Sequence, residues 1–216
     1  MSISVSQTKN HLPEPVARVA GLMSTYPGAW ALCGGWAVDA WLGRLTREHV
    51  DTDIVIFLDD HRAFFEHMAG WQMVAHDTTV DGGTGDPWNG RLLSLPAHIH
   101  ARFPVAGEQL PDRVDNAAGQ GFGLDVQFNE RSGDDWLLSR EPRVAMPLQR
   151  AVRQSGWGLP TLVPEVLLFY KASGRHVRRR DELDLLALLP HLTDEQRDWL
   201  RNAISLVGHP WLTQLS

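Results

Sequence analysis

The chain has 216 residues, of which 43% are hydrophobic and 21% are charged, as is typical of globular proteins. Its formal net charge of −6 argues against a general nucleic-acid-binding surface. No apolar run approaches the roughly 20 residues that span a bilayer, so we expect no membrane partner. Cys33 is the only cysteine and the N-terminus lacks the pattern of a secretion signal, so a cytoplasmic protein without disulfides is expected. These quantities leave the oligomeric state open.

Hydrophobic patterning predicts helices and strands that alternate along the first 145 residues. Helical spacing predicts helices over 13–23, 36–42 and 61–68, the last of them capped by Asp59 and Asp60. Short apolar or alternating runs predict strands over 29–33, 53–58, 70–76, 91–95, 98–103 and 123–129. Glycines and polar residues predict a mobile loop over 77–90, and residues 104–121 show no periodicity.

The pattern becomes helical from about residue 146. Helices are predicted over 147–152, 164–172, 181–189 and 194–207, the last with Thr193 as its N-cap. The predicted fold class is therefore α+β, with a mixed sheet flanked by helices in residues 1–145 and a helical domain in residues 146–216.

Two aspartates, Asp51 and Asp53, stand at the start of an apolar strand. Side chains alternate between the two faces of a strand, so these two carboxylates project to the same side. Such carboxylates repel each other and lose hydration unless a cation or water compensates. Because Mg²⁺ takes carboxylate oxygens together with substrate phosphates, the two aspartates predict a metal site. A solvated surface pair without a role is the alternative.

A glycine pair, Gly34 and Gly35, lies between the strand predicted over 29–33 and the helix predicted over 36–42. Without Cβ atoms, the backbone approaches a ligand closely, and successive amide groups at a helix start form an anion-binding nest. The pair therefore predicts binding of the β- and γ-phosphates of a nucleotide. A simple turn is the alternative.

The run over 32–56 (LCGGWAVDAWLGRLTREHVDTDIVI) resembles the aminoglycoside 2''-adenylyltransferase and lincosamide nucleotidyltransferase branch of the nucleotidyltransferase superfamily. In that branch GGWA, an apolar residue and an aspartate precede a GR-x-TR-x-H-x-D-x-[DE] segment. Twelve positions match in order: Gly34, Gly35, Trp36, Ala37, Asp39, Gly43, Arg44, Thr46, Arg47, His49, Asp51 and Asp53. The resemblance implies a nucleotidyltransferase catalytic domain over 1–145, followed by the helical domain.

A third carboxylate is expected from a neighbouring strand, because two metal ions about 3.5–4 Å apart need a bridging set of oxygens. Asp125 lies mid-strand on the polar face of its segment, and the resembled family has a matching Leu-Asp-Val strand. Asp51, Asp53 and Asp125 are thus the predicted catalytic and metal-binding residues, with two Mg²⁺ ions as cofactor. The sequence leaves open whether Asp125 is a metal ligand or the general base on the acceptor hydroxyl. An aspartate on an edge strand is the alternative.

Two arginines and a histidine precede the first of these aspartates. Guanidinium groups suit phosphate oxygens, so Arg44 and Arg47 are predicted to bind the triphosphate and offset charge on the departing pyrophosphate. Pairing of either arginine with Asp39 or Glu48 is the alternative. His49 is predicted to position its neighbours by hydrogen bonding and to line the substrate cleft.

Lys171 stands out because lysine is rare in this chain and because this lysine ends an apolar helix. The resembled family has a similar helix and lysine, then a basic residue and Asp-x-x-Asp, at positions held here by Arg180, Asp181 and Asp184. We therefore predict that Lys171 contacts the triphosphate. A lysine that extends along the helix surface to solvent is the alternative.

His98, His100 and Arg102 share one face of a predicted strand. The resembled family has a similar His-x₃-Arg strand, which implies that His98 and Arg102 line the acceptor or nucleotide cleft. Histidines at i and i+2 can bind zinc, but no cysteine or third histidine is close in sequence. His76 is interpreted as a strand end.

The resemblance implies Mg²⁺-dependent transfer of a nucleoside monophosphate, AMP from ATP or another nucleoside triphosphate, to a hydroxyl of a small molecule. An aminoglycoside or lincosamide antibiotic is the implied acceptor, and antibiotic resistance the implied role. The alternatives are a nucleotidylating toxin that acts on tRNA or protein, and a non-catalytic nucleotide-binding module. The intact Asp51, Asp53 and glycine pair speak against the last of these.

Overall fold

The structure is a computed structural model that describes residues 12–77, 84–103, 114–115, 123–174 and 177–215. The helices are α1 (Glu14–Met23), α2 (Gly34–Leu42), α3 (His61–His67), α4 (Leu148–Ala151), α5 (Pro164–Ala172), α6 (Arg179–Leu188) and α7 (Asp194–Ser205). The strands are β1 (Trp30–Cys33), β2 (Thr52–Phe57), β3 (Gln72–His76), β4 (Thr84–Pro87), β5 (His98–Arg102), β6 (Val114–Asp115), β7 (Leu124–Ser132), β8 (Asp135–Leu137), β9 (Ala145–Pro147), β10 (Val152–Gln154) and β11 (Pro160–Leu162). Within the described residues, no helix has both the length and the apolar character of a membrane span.

The strands form one mixed sheet in the order β10-β11-β1-β2-β7-β5-β3-β4-β6, and β8 and β9 extend from β7. Strand β2 runs parallel to β7, and β1 runs parallel to β11. The remaining pairs, including β1 with β2 and β5 with β7, are antiparallel. The predicted fold class, a mixed sheet flanked by helices, is therefore confirmed.

Helices cover both faces of the sheet because its strands alternate between two apolar sets. Ile54, Ile99 and Val126 pack with residues of α1 and α3 in one core cluster. Val55 and Phe57, which face the other way, pack with residues of α2, α5, α6 and α7 in the second cluster. Strand β2 thus contributes to both cores, which fixes the register of every side chain that it carries.

The predicted helices and strands of the catalytic segment are confirmed within one or two residues. Helix α2 starts at Gly34, two residues before the predicted start, and ends at Leu42. The next residue, Gly43, has a φ of 66°, the left-handed conformation of a C-terminal cap. Helix α7 has the predicted capping box, in which Thr193 accepts from the amide of Gln196.

Several predictions around helix α3 and the central strands were wrong. Asp59 and Asp60 make no capping hydrogen bond to α3, because both carboxylates lie against Arg131 instead. Residues 91–95 are not a strand, since the Asp77 carboxylate accepts the Ser94 amide and local hydrogen bonds replace a ladder. The predicted loop over 77–90 contains strand β4, while 78–83 lie outside the described residues.

The segment after residue 145 is less purely helical than predicted. The helix expected over 147–152 is a single turn, Leu148–Ala151, that leads directly into strand β10. Strands β10 and β11 then pair with each other and join the sheet beside β1. Three-residue strands have too few positions to show an alternating pattern, which is why the sequence did not predict them. The division at residues 145 and 146 stays a prediction.

Candidate active site

Three carboxylates meet where β2 and β7 begin. Asp53 and Asp125 are register partners on these parallel strands, so their side chains lie on the same face of the sheet. Asp51 lies two residues before Asp53, just ahead of the strand. Each of the three offers an oxygen atom, and these oxygens lie within 4.8 Å of one another. We call Asp51, Asp53 and Asp125 the carboxylate cluster.

The carboxylate cluster holds more negative charge than its protein surroundings compensate. Burial, followed by the nearby charges of Asp125 and Asp51, raises the pKa of Asp53 to about 7. Lys171 and Arg180 lower this pKa, but by less. A carboxyl group that is hard to ionise beside two others is the environment that a bound divalent cation would relieve.

The glycine pair allows the start of helix α2 to touch the carboxylate cluster. Gly34 has a φ of +64°, and a Cβ at this position would lie 1.9 Å from Oδ2 of Asp53. A Cβ on Gly35 would lie 2.4 Å from Nδ1 of His49 and 2.5 Å from Nη2 of Arg47. Any side chain at either position would therefore displace a group of the site, which is a stronger reason for glycine than turn formation alone.

Asp39 organises the segment that connects α2 with β2. Its buried carboxylate accepts hydrogen bonds from the amide of Thr46 at 3.0 Å and from the Thr46 hydroxyl at 2.5 Å. His49 Nε2 lies 2.5 Å from the other oxygen, Oδ2. Arg47 Nη1 lies 3.0 Å from Nδ1 of His49, and a guanidinium only donates, so Nε2 of His49 carries the proton and donates to Asp39. These contacts favour the positioning role predicted for His49.

Two of the predicted phosphate-binding cations meet on Asp184 of helix α6. Arg47 donates to both carboxylate oxygens of Asp184, with N–O distances of 3.0 Å each. Lys171 Nζ lies 2.6 Å from Oδ2 of Asp184 and 3.7 Å from Oδ1 of Asp181. The Lys171 side chain is only 9% exposed, so the alternative of a lysine extending to solvent was wrong.

Asp181 and Asp184 were noted in the sequence only as part of a motif, and no function was predicted for them. In the structure, both lie beside Lys171. Arg47 pairs with Asp184 rather than with the side chain of Asp39 or Glu48, and it touches Glu48 only through the carbonyl oxygen. The signal was the Asp-x-x-Asp spacing after Lys171, which places both carboxylates on one face of α6.

Arg44 lies apart from these groups. It is exposed and lines a second cavity, of 360 Å³, with residues of α2, α5 and α6, among them Trp41, Pro164 and Leu188. In the part of the chain that the structure describes, the backbone amide of Arg44 donates a hydrogen bond to the carbonyl oxygen of Asp39. Its predicted role in binding the triphosphate stays a prediction.

The predicted His98–Arg102 strand adjoins the carboxylate cluster through His100. His100 and Asp125 are register partners, and Nε2 of His100 lies 3.6 Å from Oδ2 of Asp125. Burial lowers the pKa of His100, but the interaction with Asp125 outweighs burial and raises it overall. Burial also lowers the pKa of His98, which therefore favours the neutral imidazole. Arg102 is half-buried and donates from Nε to Oε1 of Gln72 at 2.9 Å.

A cavity of 560 Å³ adjoins the carboxylate cluster at Asp51. Its walls come from α1, from the segment before β2, and from the ends of β5 and β7. Arg102 and His49, two of the predicted cleft residues, line it, whereas His98 is not among its lining residues. Three aromatic residues, Trp36, Trp71 and Phe103, are among the residues that line it.

The start of helix α2, with its glycine pair, lies against carboxylates that stand on the adjacent strands β2 and β7. The family model described as aminoglycoside-2''-adenylyltransferase matches residues 16–80. This range contains the glycine pair, Asp51 and Asp53. The resemblance predicted from the sequence is thus confirmed over the segment that carries it.

Solved structures support the same fold. The structure of the lincosamide antibiotic adenylyltransferase LnuA, lincomycin-bound, has a TM-score of 0.52 at 14% identity and covers 82% of this chain and 95% of its own. The crystal structure of ANT(2'')-Ia in complex with adenylyl-2''-tobramycin has a TM-score of 0.50 at 17% identity, covering 89% and 96%. The solution structure of the antibiotic-resistance factor ANT(2'')-Ia has a TM-score of 0.54 at 17% identity, covering 88% and 89%. No curated protein matches the sequence significantly.

Proposed function

We propose that this protein is a Mg²⁺-dependent nucleotidyltransferase that moves AMP from ATP to a hydroxyl group of a small molecule. The observation that carries the proposal is the carboxylate cluster, whose oxygens lie within 4.8 Å of one another beside the start of helix α2. The choice of AMP rests on the similar structures, which are named as adenylyltransferases or as complexes with an adenylylated product.

The donor set fits magnesium. Mg²⁺ prefers carboxylate oxygens and keeps positions for water and phosphate, and all three side chains of the cluster supply oxygen. The raised pKa of Asp53, caused first by burial and then by Asp125 and Asp51, is the charge imbalance that such an ion would relieve. When bound, Mg²⁺ supplies positive charge to the triphosphate and lowers the pKa of the acceptor oxygen. Asp51, Asp53 and Asp125 would hold it, as one or two ions.

The residues around the cluster would bind and orient the triphosphate. Backbone amides at Gly34 and Gly35 would face the β- and γ-phosphates, since only glycine leaves room there. Lys171 and Arg47 would add positive charge on the side of α6, and Asp184 holds both of them in place. Arg44, on the same connecting segment as Arg47, is proposed to contribute further positive charge to triphosphate binding.

In the reaction, the acceptor oxygen forms a bond to the α-phosphorus while the bond from that phosphorus to the bridging oxygen breaks. Pyrophosphate leaves with the electron pair of the broken bond. The proton of the acceptor hydroxyl passes to a base, for which Asp125 is the proposed residue. Asp125 borders His100 on the side away from Asp53, and this is the side from which His98 and His100 would line the approach of the acceptor.

The 560 Å³ cavity supports an acceptor of low net charge rather than a polycation. Its charged lining among the described residues consists of Glu14, Asp51, Arg18 and Arg102, which balance to zero. A polycationic aminoglycoside would be favoured by an excess of carboxylates, which these four residues do not provide. The aromatic walls suit an acceptor with an apolar face. A lincosamide-type molecule therefore fits this cavity better than an aminoglycoside does.

The test is pyrophosphate release from ATP and Mg²⁺ over a panel of lincosamides, aminoglycosides and hydroxyl-bearing metabolites. We expect release with a low-charge acceptor, accompanied by covalent addition of AMP to that acceptor. Binding of ATP without release for any acceptor would favour a nucleotide-binding module. Growth arrest on expression, with label transferred to tRNA or protein, would favour a nucleotidylating toxin. The cytoplasmic location expected from the sequence stays a prediction.

A further inference from the structure

Three histidines come together on the sheet beside the carboxylate cluster. His76 lies on β3 directly opposite His98 on β5, and His100 follows two residues later on the same face. Each offers a ring nitrogen, and these nitrogens lie within 4.8 Å of one another. We call His76, His98 and His100 the histidine cluster. The third histidine is His76, which lies 22 positions before His98 and therefore was not recognised from the sequence.

The rings of the histidine cluster lie close enough together for ring rotation to direct their nitrogens at one metal ion. His76 and His98 are stacked with centroids 4.7 Å apart, and His100 lies 4.8 Å from His76 and 4.9 Å from His98. A tetrahedral zinc ion with Zn–N bonds of about 2.05 Å holds its nitrogens roughly 3.4 Å apart. The nitrogens would thus need to approach by no more than about 1.4 Å, which is within the reach of ring rotation.

The surroundings of the cluster match the outer shell of histidine metal sites. In such sites, a histidine usually donates its other ring N–H to a carboxylate, which fixes the ring. Here the carboxylate of Asp125 lies 3.6 Å from Nε2 of His100 and is the carboxylate placed to fix that ring. Strand β4 packs against His76 through Gly85, where a Cβ would lie 2.5 Å from Cε1 of the ring. The backbone of β4 therefore fixes the position of His76 from the side opposite His98.

We propose that His76, His98 and His100 form a binding site for Zn²⁺, separate from the magnesium site of the carboxylate cluster. Imidazole nitrogen is a preferred ligand of zinc, whereas magnesium requires oxygen, so the two clusters select different ions. Three protein ligands leave a fourth coordination position for water or for an acceptor group. Because His100 touches Asp125, zinc would also restrain the third carboxylate of the magnesium site.

The test is a competition titration of metal-stripped protein with Zn²⁺ against a chromophoric chelator, in the absence of nucleotide. Wild-type protein should bind one equivalent at this site. His98→Gln and His76→Gln should each weaken binding by more than the roughly 10- to 100-fold that loss of an outer-shell partner costs. His191→Gln, a change of an exposed histidine far along the chain, is the matched control and should bind as the wild type does.

Two further measurements make the outcome decisive. Co²⁺ bound to imidazoles in four-coordinate geometry should give visible absorption that His98→Gln removes, and zinc should raise the melting temperature of the wild type but not of that variant. Asp53→Asn should leave zinc affinity unchanged. If zinc binding survives in both histidine variants, or is lost in Asp53→Asn instead, the proposal is wrong. Because none of these readouts involves ATP, failure here leaves the proposed adenylyl transfer untouched.

Discussion

The protein contains two groups of aspartates, one half-buried and one buried, that differ in how their charge is compensated. The first group is the carboxylate cluster. Within the described residues, its ion-pair contact is the one between His100 and Asp125. In the second, Asp184 is held by Arg47 and Lys171, and Asp181 by Arg178. The start of helix α2 borders both groups, because Gly34 lies against Asp53 and Gly35 lies against Arg47, the partner of Asp184.

The difference shows how to separate a structural carboxylate from a candidate metal ligand. Burial would raise the pKa of Asp181, but hydrogen bonds from Arg178 outweigh it and lower the pKa overall. The pKa of Asp53 is raised to about 7, because its neighbouring carboxylates act in the same direction as burial instead of opposing it. The protein itself neutralises the charge of the second group, whereas the carboxylate cluster keeps negative charge that a bound cation would offset.

The largest expected effect is on catalysis. Asp51→Asn and Asp53→Asn should each lower the transfer rate by at least about 10²–10³-fold, because each removes a proposed magnesium ligand while the fold is retained. The measurement is pyrophosphate release at saturating Mg²⁺. Asp59→Asn is the matched control, since Asp59 is exposed and pairs with Arg131. Wild-type rates in either cluster variant would remove these residues from the metal site.

In the second group of aspartates, substitution should lower the stability of the protein, because these carboxylates hold ion pairs in place. Asp184→Asn leaves Arg47 and Lys171 short of their shared counter-charge, and breaking a buried ion pair costs about 3–5 kcal/mol of stability. For a chain of this size the melting temperature should fall by roughly 6–20 °C. Asp198→Asn, which removes an exposed ion pair with Arg201, should change stability by less than about 1 kcal/mol. Equal melting temperatures for the two variants would show that the ion pairs of Asp184 do not stabilise the fold more than an exposed pair does.

The pH dependence of stability in the metal-free protein tests whether the charge of Asp53 is uncompensated. The pKa of Asp53 is 3.8 in an unfolded chain and about 7 in the fold, because of burial and the neighbouring carboxylates. Below about pH 4 the group is protonated in both states and has no effect on stability. As the pH rises from about 4 to 7, only the unfolded chain releases the proton readily, so stability falls by on the order of a few kcal/mol.

The measurement is chemical unfolding of wild type and Asp53→Asn in the presence of a chelator. The free energy of unfolding of the asparagine variant should exceed that of the wild type by an amount that grows through this pH window and then levels off. Added Mg²⁺ should close the gap by stabilising the wild type alone. A constant difference between the two proteins across the window would contradict the raised pKa.

The smallest expected effect concerns Lys171. Lys171→Ala should weaken ATP–Mg²⁺ binding by roughly 10- to 100-fold, the range for loss of a charge-assisted contact of about 1.5–3 kcal/mol. Because the side chain is 9% exposed, the loss should depend only weakly on salt. Lys171→Arg should recover part of the affinity, since it keeps the charge but replaces a compact ammonium with a planar fork. Calorimetric titration that finds unchanged affinity in Lys171→Ala would remove α5 from the nucleotide site.

The parts of the fold that the sequence predicted depend on local signals. Gly34, Gly43 and the alternation around Asp53 each constrain the backbone within a few residues, so α2 and β2 were placed nearly correctly. Asp125 was predicted because it stands on the polar face of a cleanly alternating strand, and the register then places it beside Asp53.

The parts that could not be predicted are contacts between distant segments. Arg47 and Asp184 are separated by 137 positions, and no periodicity shows that α6 folds back onto the segment before β2. His76 meets His98 only because β3 and β5 pair antiparallel in that register. The sequence shows which residues carry opposite charges and so could form ion pairs. Which of several aspartates pairs with Arg47 is determined by how the helices and strands pack.

The position of Cys33 has a consequence for following the motions of this sheet. This cysteine, the only one in the chain, ends β1 opposite Asp53 and is buried. Burial raises the pKa of its thiol, and the negative charges of Asp53 and Asp125 raise it further, so the reactive thiolate is suppressed in the folded state. A thiol reagent therefore reacts at a rate set by how often β1 separates from β2. The native sequence thus carries its own reporter of local opening beside the carboxylate cluster, with no label to introduce.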